Sequence, residues 1–278
     1  MRRSSLVLTA VAFLLAGIKP ALAQFNPEEL SQRPYWEEFL KTAPILRSEE
    51  IGEGVTKPFA VYLKSEDAEQ KACWKNPSGI KDGFLEGWQY EIAAYQLDKL
   101  IGLDMIPPTV EREFEGRQGA LSYWATTECN LLEVEERKIE RPETALAHIQ
   151  KMNYIARAWD CLVANEDRTQ QNVRFTKDWR MILIDHSRAF RSSKEFTDRL
   201  MFGKNGIRKY ADGKPFLFRR LPRTFVEKVK ALDFESIKAA VGPYLTDKEI
   251  EAILKRKTLL LAEIDGMIKD SGENKVLY

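Results

Sequence analysis

A chain of 278 residues with 43 basic and 42 acidic side chains has a formal net charge of +1, too balanced for general affinity to nucleic acid. Its three cysteines (Cys73, Cys129, Cys161) cannot all pair within one chain, which excludes a disulfide scaffold. Its two histidines, His148 and His186, are too few for zinc hydrolases or histidine-based triads.

The N-terminus reads as an export signal: Met-Arg-Arg, an apolar run from Leu6 to Gly17, and Ala21-Leu22-Ala23 before Gln24. Residues 1–23 are therefore expected to be removed, and the run is too short to span a bilayer. Removal takes Arg2, Arg3 and Lys19 and no acid, leaving 40 basic and 42 acidic residues, a net charge of −2. The mature 255 residues, Gln24 to Tyr278, suit one large domain or two lobes. The expected location is the periplasm or the medium, with no transmembrane segment after signal removal.

Residues 24–50 read as a polar, loosely helical lead-in without a core face. From Ile51 the pattern changes to strands: Phe59, Val61 and Leu63 alternate with Ala60, Tyr62 and Lys64, and a shorter strand covers Lys71 to Lys75. Phe84, Trp88 and Tyr95 recur at helical spacing and predict a helix over roughly Phe84 to Ile101. After Pro107-Pro108, strands over about Thr109–Phe114 and Gly119–Ala125 are joined by a Glu-Gly turn. Residues 51–125 thus form a strand-rich lobe. Residues 126–278 form a mainly helical one, beginning with a long helix from Thr144 to Val163 whose apolar stripe is Leu146, Ile149, Ile155, Trp159 and Leu162. That helix runs into the loop Asn165–Asn172. A hairpin follows (Val173–Thr176, then Arg180–Ile184), and two or three amphipathic helices come after Leu221-Pro222. The fold class expected is α+β: a small antiparallel-sheet N-lobe and a mainly helical C-lobe.

Five polar residues stand out on this frame. Asp167 and Asn172 are separated by four residues, the Asp-x-x-x-x-Asn spacing of a kinase catalytic loop, and Asp185 ends an apolar strand, where a second metal-binding Asp belongs. Phosphoryl transfer needs an acceptor for the attacking hydroxyl's proton and oxygen ligands for the magnesium that bridges the phosphates. Glu91 lies three residues after Trp88 and four before Tyr95, inside an apolar stripe, where a carboxylate needs a cation. Lys75 is the upstream candidate; alternation puts Lys75 and Cys73 on one face of their strand and Trp74 on the other. Gly52 and Gly54 open the first strand, where backbone amides can approach phosphates. The position of a third glycine in protein-kinase spacing is Lys57.

The segments Ile51-Gly52-Glu53-Gly54-Val55-Thr56-Lys57-Pro58, Tyr90-Glu91-Ile92-Ala93-Ala94-Tyr95, Ile106-Pro107-Pro108-Thr109-Val110, Ala164-Asn165-Glu166-Asp167-Arg168 and Ile184-Asp185-His186-Ser187-Arg188-Ala189-Phe190 resemble bacterial proteins of the atypical-kinase group. That group includes the HipA toxin kinases, phosphatidylinositol 3/4-kinases, and the Four-jointed and Golgi casein kinases. The resemblance runs from about Ile51 to Phe190. It implies a bilobal kinase-like fold and use of ATP with magnesium or manganese. By position it implies Lys75 on the phosphates with Glu91 as its partner, Asp167 as catalytic Asp, and Asn172 and Asp185 on the metal. Asn165-Glu166-Asp167 replaces the His-Arg-Asp run of protein kinases and Asp185-His186-Ser187 replaces Asp-Phe-Gly, so no substrate class carries over. His186 reads as a packed or capping histidine, with substrate or metal contact as the alternative.

Between Arg188 and Arg223 stand eleven Lys/Arg and three acids, a net +8. A solvated basic surface and a docking face for an anionic acceptor (acidic peptide, phospholipid headgroup or sugar) both fit. The reading reached is an exported ATP-dependent phosphotransferase acting on a hydroxyl. AMP transfer on the same scaffold, or a nucleotide-binding pseudokinase or interaction domain, are the alternatives.

Overall fold

The computed structural model describes residues 25–52, 57–81 and 83–278; the expected signal segment 1–23 and Gly54 lie outside these. Among the described residues, five strands form an antiparallel sheet in the order β1 (Ile45–Glu50), β2 (Phe59–Lys64), β3 (Glu69–Lys75), β7 (Arg117–Tyr123), β6 (Thr109–Phe114). Alternation acts as expected on β3. Trp74 turns into the lobe's own core with Val61, Leu63, Ala72 and Leu121, while Cys73 and Lys75 face the opposite way, into a cleft. β7 must pass close under β3: a Cβ on Gly119 would stand 2.6 Å from the Lys75 carbonyl oxygen and 2.7 Å from the Trp74 ring, so glycine is required there.

The residues before β1 are not a coreless lead-in. α1 (Pro27–Ser31) and α2 (Arg33–Thr42) precede the sheet, and α2 buries Phe39 and Leu40 in the same cluster as Trp74, with Ala43 just beyond. Trp36, Phe39 and Leu40 recur at helical spacing, but Glu37, Glu38 and Lys41 between them dilute the apolar signal. Arg33 anchors α2 to the next helix, Nη2 standing 3.0 Å from Asp98 and Nη1 2.7 Å from Asp104.

The expected helix from Phe84 begins five residues later. β4 (Ser78–Lys81) and β5 (Phe84–Gly87) pair as a hairpin, Ile80 opposite Leu85, and α3 (Gln89–Ile101) follows. Gly83 at φ 84° makes the turn, a conformation an L-residue enters at a cost. The Gly87 N–H leaves the hairpin to bond the Ser187 carbonyl (3.0 Å) instead of starting a helical ladder. α3 ends on Gly102 in the left-handed region.

The second lobe is built on α5 (Glu143–Val163), packed against α9 (Asp247–Ser271), with α7 (Arg223–Ala231) and α8 (Phe234–Val241) packing on both α9 and α3. Of the expected α5 stripe, Ile149, Ile155, Trp159 and Leu162 are buried, whereas Leu146 in the first turn is exposed. A three-stranded sheet of β10 (Met181–Leu183), β9 (Val173–Phe175) and β8 (Cys129–Asn130) lies beside it, with α4 (Leu131–Glu136) on its β8–β9 side, while α6 (Lys194–Asp198) packs on α9. A short α10 (Glu273–Val276) completes the chain. No helix among the described residues is long and apolar enough to cross a membrane.

Candidate active site

A cleft of about 450 Å³ opens between the lobes, walled by β3 and α3 on one side and by the Asp167–Asn172 loop and Asp185 on the other. Each polar wall residue is delivered by a specific turn of the chain. Ala164 takes φ 47° after α5 and swings the chain off the helix axis into the loop, and Asp185 takes φ 60° at the end of β10. Such left-handed conformations are costly for non-glycine residues and concentrate where a side chain must be aimed, Asp being among the most tolerant.

Lys75 Nζ bridges two carboxylates, 3.2 Å from Glu91 Oε1 and 3.0 Å from Asp185 Oδ1. Burial works against its charge, but Asp185 and Glu91 together outweigh burial and hold its pKa above the ordinary lysine range. The same pairing depresses Asp185 below the usual carboxylate value despite burial. Glu91, 5% exposed, goes the other way: burial and the nearby Asp185 charge prevail over Lys75 and raise it. Its other oxygen accepts the His186 backbone N–H at 2.9 Å, tying α3 to the residue after Asp185.

Across the cleft, the Asp167 N–H donates to Asn165 Oδ1 (3.0 Å) and the Asn172 amide donates to the Asp167 carbonyl (3.1 Å), so Asp167 and Asn172 are locked into one turn. Burial raises the Asp167 carboxyl, opposed by Arg188, whose Nη1 stands 3.6 Å away. Lys75, Glu91, Cys73, Asp167, Asn172 and Asp185 therefore line one cavity, although they are spread over more than a hundred positions. Cys73 is half-buried in the cleft wall, and burial pushes its thiol up to about 11. Ile51 and Pro58 line the cleft mouth, Gly52 is not part of its wall, and Lys57 adopts φ 48°, a conformation suited to the glycine it replaces.

The sequence reading missed the scaffold behind these residues. Arg168 grips buried Asp160 through Nε and Nη2 (3.0 Å each) and donates from Nη1 to the Ile184 carbonyl (2.7 Å), so one guanidinium joins α5, the loop and the strand carrying Asp185. His186 is fully buried; its Nε2 lies 2.9 Å from Arg168 and accepts from Trp159 Nε1 at 3.3 Å. Burial and the Arg168 charge lower its pKa well below the ordinary histidine value, so it is a neutral packing residue. Asp160 was legible in principle, being a carboxylate inside the apolar run Trp159-Asp160-Cys161-Leu162. Glu86 and Arg188 were missed too; Arg188 Nε lies 2.7 Å from Glu86 Oε1.

The basic run from Arg188 is in part committed internally. Arg188 pairs with Glu86, Arg191 with Glu166, Lys214 with Asp212 and Arg223 with Glu273. Arg199 donates to the Asn205 and Gly206 carbonyls.

No protein-family model and no curated protein sequence matches the chain. Solved structures do. A hydra Fam20 protein, determined with a sugar, superposes with a TM-score of 0.60 at 14% identity, covering 91% of this chain and 93% of its own. The Golgi casein kinase with Mn and ADP bound gives 0.60 at 13% identity, covering 89% and 79%. The Helicobacter pylori proinflammatory kinase CtkA gives 0.54 at 12%, covering 84% and 98%. The fold is kinase-like. It has the bilobal α+β arrangement expected from the sequence, and at these identities the likeness is one of fold.

The oxygen donors of the cleft could hold a divalent cation. Asn172 spends its amide N–H on the Asp167 carbonyl, which leaves its amide oxygen as an acceptor. The contacts of Asp185 with Lys75 and Ser187 both fall on Oδ1, which leaves Oδ2 as a ligand. Oxygen donors of this kind suit magnesium or manganese. No cluster of three His, Cys, Asp or Glu forms a metal cage among the described residues. An ion held there would need further oxygen ligands from outside the chain, such as water.

Proposed function

We propose that the protein is an exported ATP- and divalent-metal-dependent phosphotransferase of the atypical-kinase type that phosphorylates a hydroxyl. The observation that carries this is Lys75 held between Glu91 and Asp185 at 3.2 and 3.0 Å, opposite Asp167 and Asn172 in the same cleft. Lys75 aims an ammonium at phosphate oxygens, and Glu91, itself fixed by the His186 N–H, keeps it there. Asp167, raised by burial, accepts the proton of the attacking hydroxyl and orients it. Asn172 and Asp185 hold the divalent ion, which supplies charge neutralisation of the phosphates when bound. Apolar Ile51, Pro58, Ile106, Ile182 and Leu183 in the cleft wall suit the base of the nucleotide. The neighbour solved with Mn and ADP supports this use of the cleft. Secretion through the N-terminal signal, and kinship with the HipA and phosphatidylinositol 3/4-kinase branches, belong to the same proposal. So does acceptor docking by the Lys/Arg side chains of residues 188–223 left free of internal pairs.

The test is incubation of the purified protein with γ-labelled ATP and magnesium or manganese, with dephosphorylated casein and host envelope extract offered as acceptors. Label should move to acceptor or to phosphate, and Asp185→Asn should abolish it. If Asp185→Asn turns over ATP and binds metal–nucleotide like the wild type, the assignment fails. Mass spectrometry of the acceptor reads the group transferred, and an AMP adduct would replace phosphotransfer with nucleotidyl transfer.

A further inference from the structure

The hairpin β4–β5 makes three hydrogen-bonded contacts with the residues after Asp185 that the roles above leave unused. The Gly87 N–H bonds the Ser187 carbonyl at 3.0 Å, Arg191 donates to the Leu85 carbonyl, and Arg188 meets Glu86. The last is unusual in form. Arg188 Nε (2.7 Å) and Nη2 (2.6 Å) both address one oxygen, Oε1, of a Glu86 that is 3% exposed, while Oε2 is buried with no hydrogen-bond partner. Arginine–carboxylate pairs are frequently bidentate, with two parallel N–H···O bonds to the two oxygens. Here the guanidinium is turned so that Nη1 stands 3.6 Å from Asp167 Oδ2, and the Phe84 ring covers it with its centroid 4.5 Å from Cζ. Glu86, Arg188 and Asp167 all line the cleft.

We propose that Glu86 is a positioning residue: by fixing Arg188 it sets the orientation of the Asp167 carboxylate, and this makes the β4–β5 hairpin part of the transfer machinery. The proposal rests on Asp167 acting as the catalytic carboxylate. α3 reaches the metal side of the cleft through Glu91, and the hairpin reaches the acceptor side through Glu86, so the small lobe grips both halves of the site.

The experiment measures ATP hydrolysis with manganese, water serving as acceptor, for the wild type, Glu86→Gln, Arg188→Met, Arg188→Lys and the double variant Glu86→Gln/Arg188→Met. Rates are expressed per nucleotide-binding site, counted by ADP titration, so that misfolded protein does not enter. Loss of the clamp should lower turnover per site by about 10²-fold in Glu86→Gln and in Arg188→Met, the scale of a small misplacement of a catalytic group. KM for ATP should stay within about threefold, because nucleotide contacts are untouched. The double variant should be no slower than Arg188→Met, since Glu86 acts through Arg188. Arg188→Lys, which keeps the charge, should retain more activity than Arg188→Met, and it replaces Arg188→Met in the comparison if the latter does not fold. A hairpin pair with only a structural role would lower the melting temperature and the number of sites while leaving turnover per site intact. That result, or losses that multiply in the double variant, overturns the proposal. A wild type that binds ADP yet hydrolyses no ATP and labels no acceptor removes the phosphotransfer reading and this one with it. An active wild type with an equally active Glu86→Gln removes this one alone.

Discussion

Replacing Lys75 by Met separates the two jobs of the residue. In the folded protein its ammonium lies 3.2 Å from Glu91 and 3.0 Å from Asp185, and each pair is worth about 5 kcal/mol of gross Coulomb attraction at an effective dielectric near 20. Desolvation of the three groups offsets most of that, so the intact cluster adds little net stability. Removing its only lysine is different, because Glu91 then keeps a buried charge beside Asp185 with no cation between them; the expected cost is about 3–5 kcal/mol. At this chain length that is a drop in melting temperature on the order of 10 °C. The sign of the pH dependence follows from Glu91, whose pKa burial already raises. A carboxyl raised in the folded state stabilises it while protonated, and that stability is lost as pH rises through the folded value. Relative to the wild type, Lys75→Met should therefore be only mildly destabilised at pH 5 and most destabilised at pH 8. Urea denaturation followed by tryptophan fluorescence at the two pH values measures it. The companion Lys75→Met/Glu91→Gln removes the stranded charge while a Gln oxygen can still accept the His186 N–H, so stability should return and ATP turnover should not. If Lys75→Met is as stable as the wild type at pH 8, or if the double variant regains turnover, Lys75 is not the buried cation that both holds the cluster and serves the phosphates.

Three further outcomes are expected. Arg33→Met should destabilise the protein by about 3 kcal/mol at pH 8 and by less at pH 5 in thermal melts, because Asp98 is left buried without its cation. Burial puts Asp98 at about 7 even with Arg33 opposing it, and loss of Arg33 raises it further, so the added cost of its charge is incurred as pH rises above that value; an unchanged melting temperature would show that α2 is not part of the lobe. Cys73, raised to about 11 by burial, should react with iodoacetamide more slowly than free cysteine. ATP with manganese should slow it further, and a rate unaffected by nucleotide would remove Cys73 from the binding pocket.

The parts of the site legible in sequence were those whose geometry is local. Trp74 and Lys75 are neighbours on a strand, so alternation alone assigned one to the core and the other to the cleft. Glu91 sits one helical turn from Trp88 and from Tyr95, so spacing alone marked it as buried. The hairpin was illegible for the same reason: Phe84 and Trp88 are four apart and imitate a helical face, and what decides against the helix is the pairing of Ile80 with Leu85 and a hydrogen bond from Gly87 to Ser187, a hundred residues away. Glu86 with Arg188, and Arg168 with Asp160, are partnerships made by the fold. Sequence can flag a carboxylate in an apolar run, as at Asp160, but it cannot say which of 43 cations answers it.

The charges in the cleft wall decide how a nucleotide can enter. Among the described residues, Lys75, Arg174 and Arg188 face Glu86, Glu91, Asp167 and Asp185, so that part of the wall carries more carboxylates than cations. Arg188 is already spent on Glu86, and Lys75 cannot turn toward a phosphate without leaving Asp185 uncompensated. A bare triphosphate would meet this surface with like charge on both sides. On the proposed function, a divalent ion held by Asp185 and Asn172 would change the balance, because it would answer the aspartate and free the lysine. ATP should accordingly bind at least about tenfold more weakly in EDTA than with manganese, measured by calorimetric titration, and Asp185→Asn should narrow that gap by removing the charge that competes for Lys75. Equal affinity with and without the ion would mean that the lysine already faces the nucleotide and that Asp185 has another task.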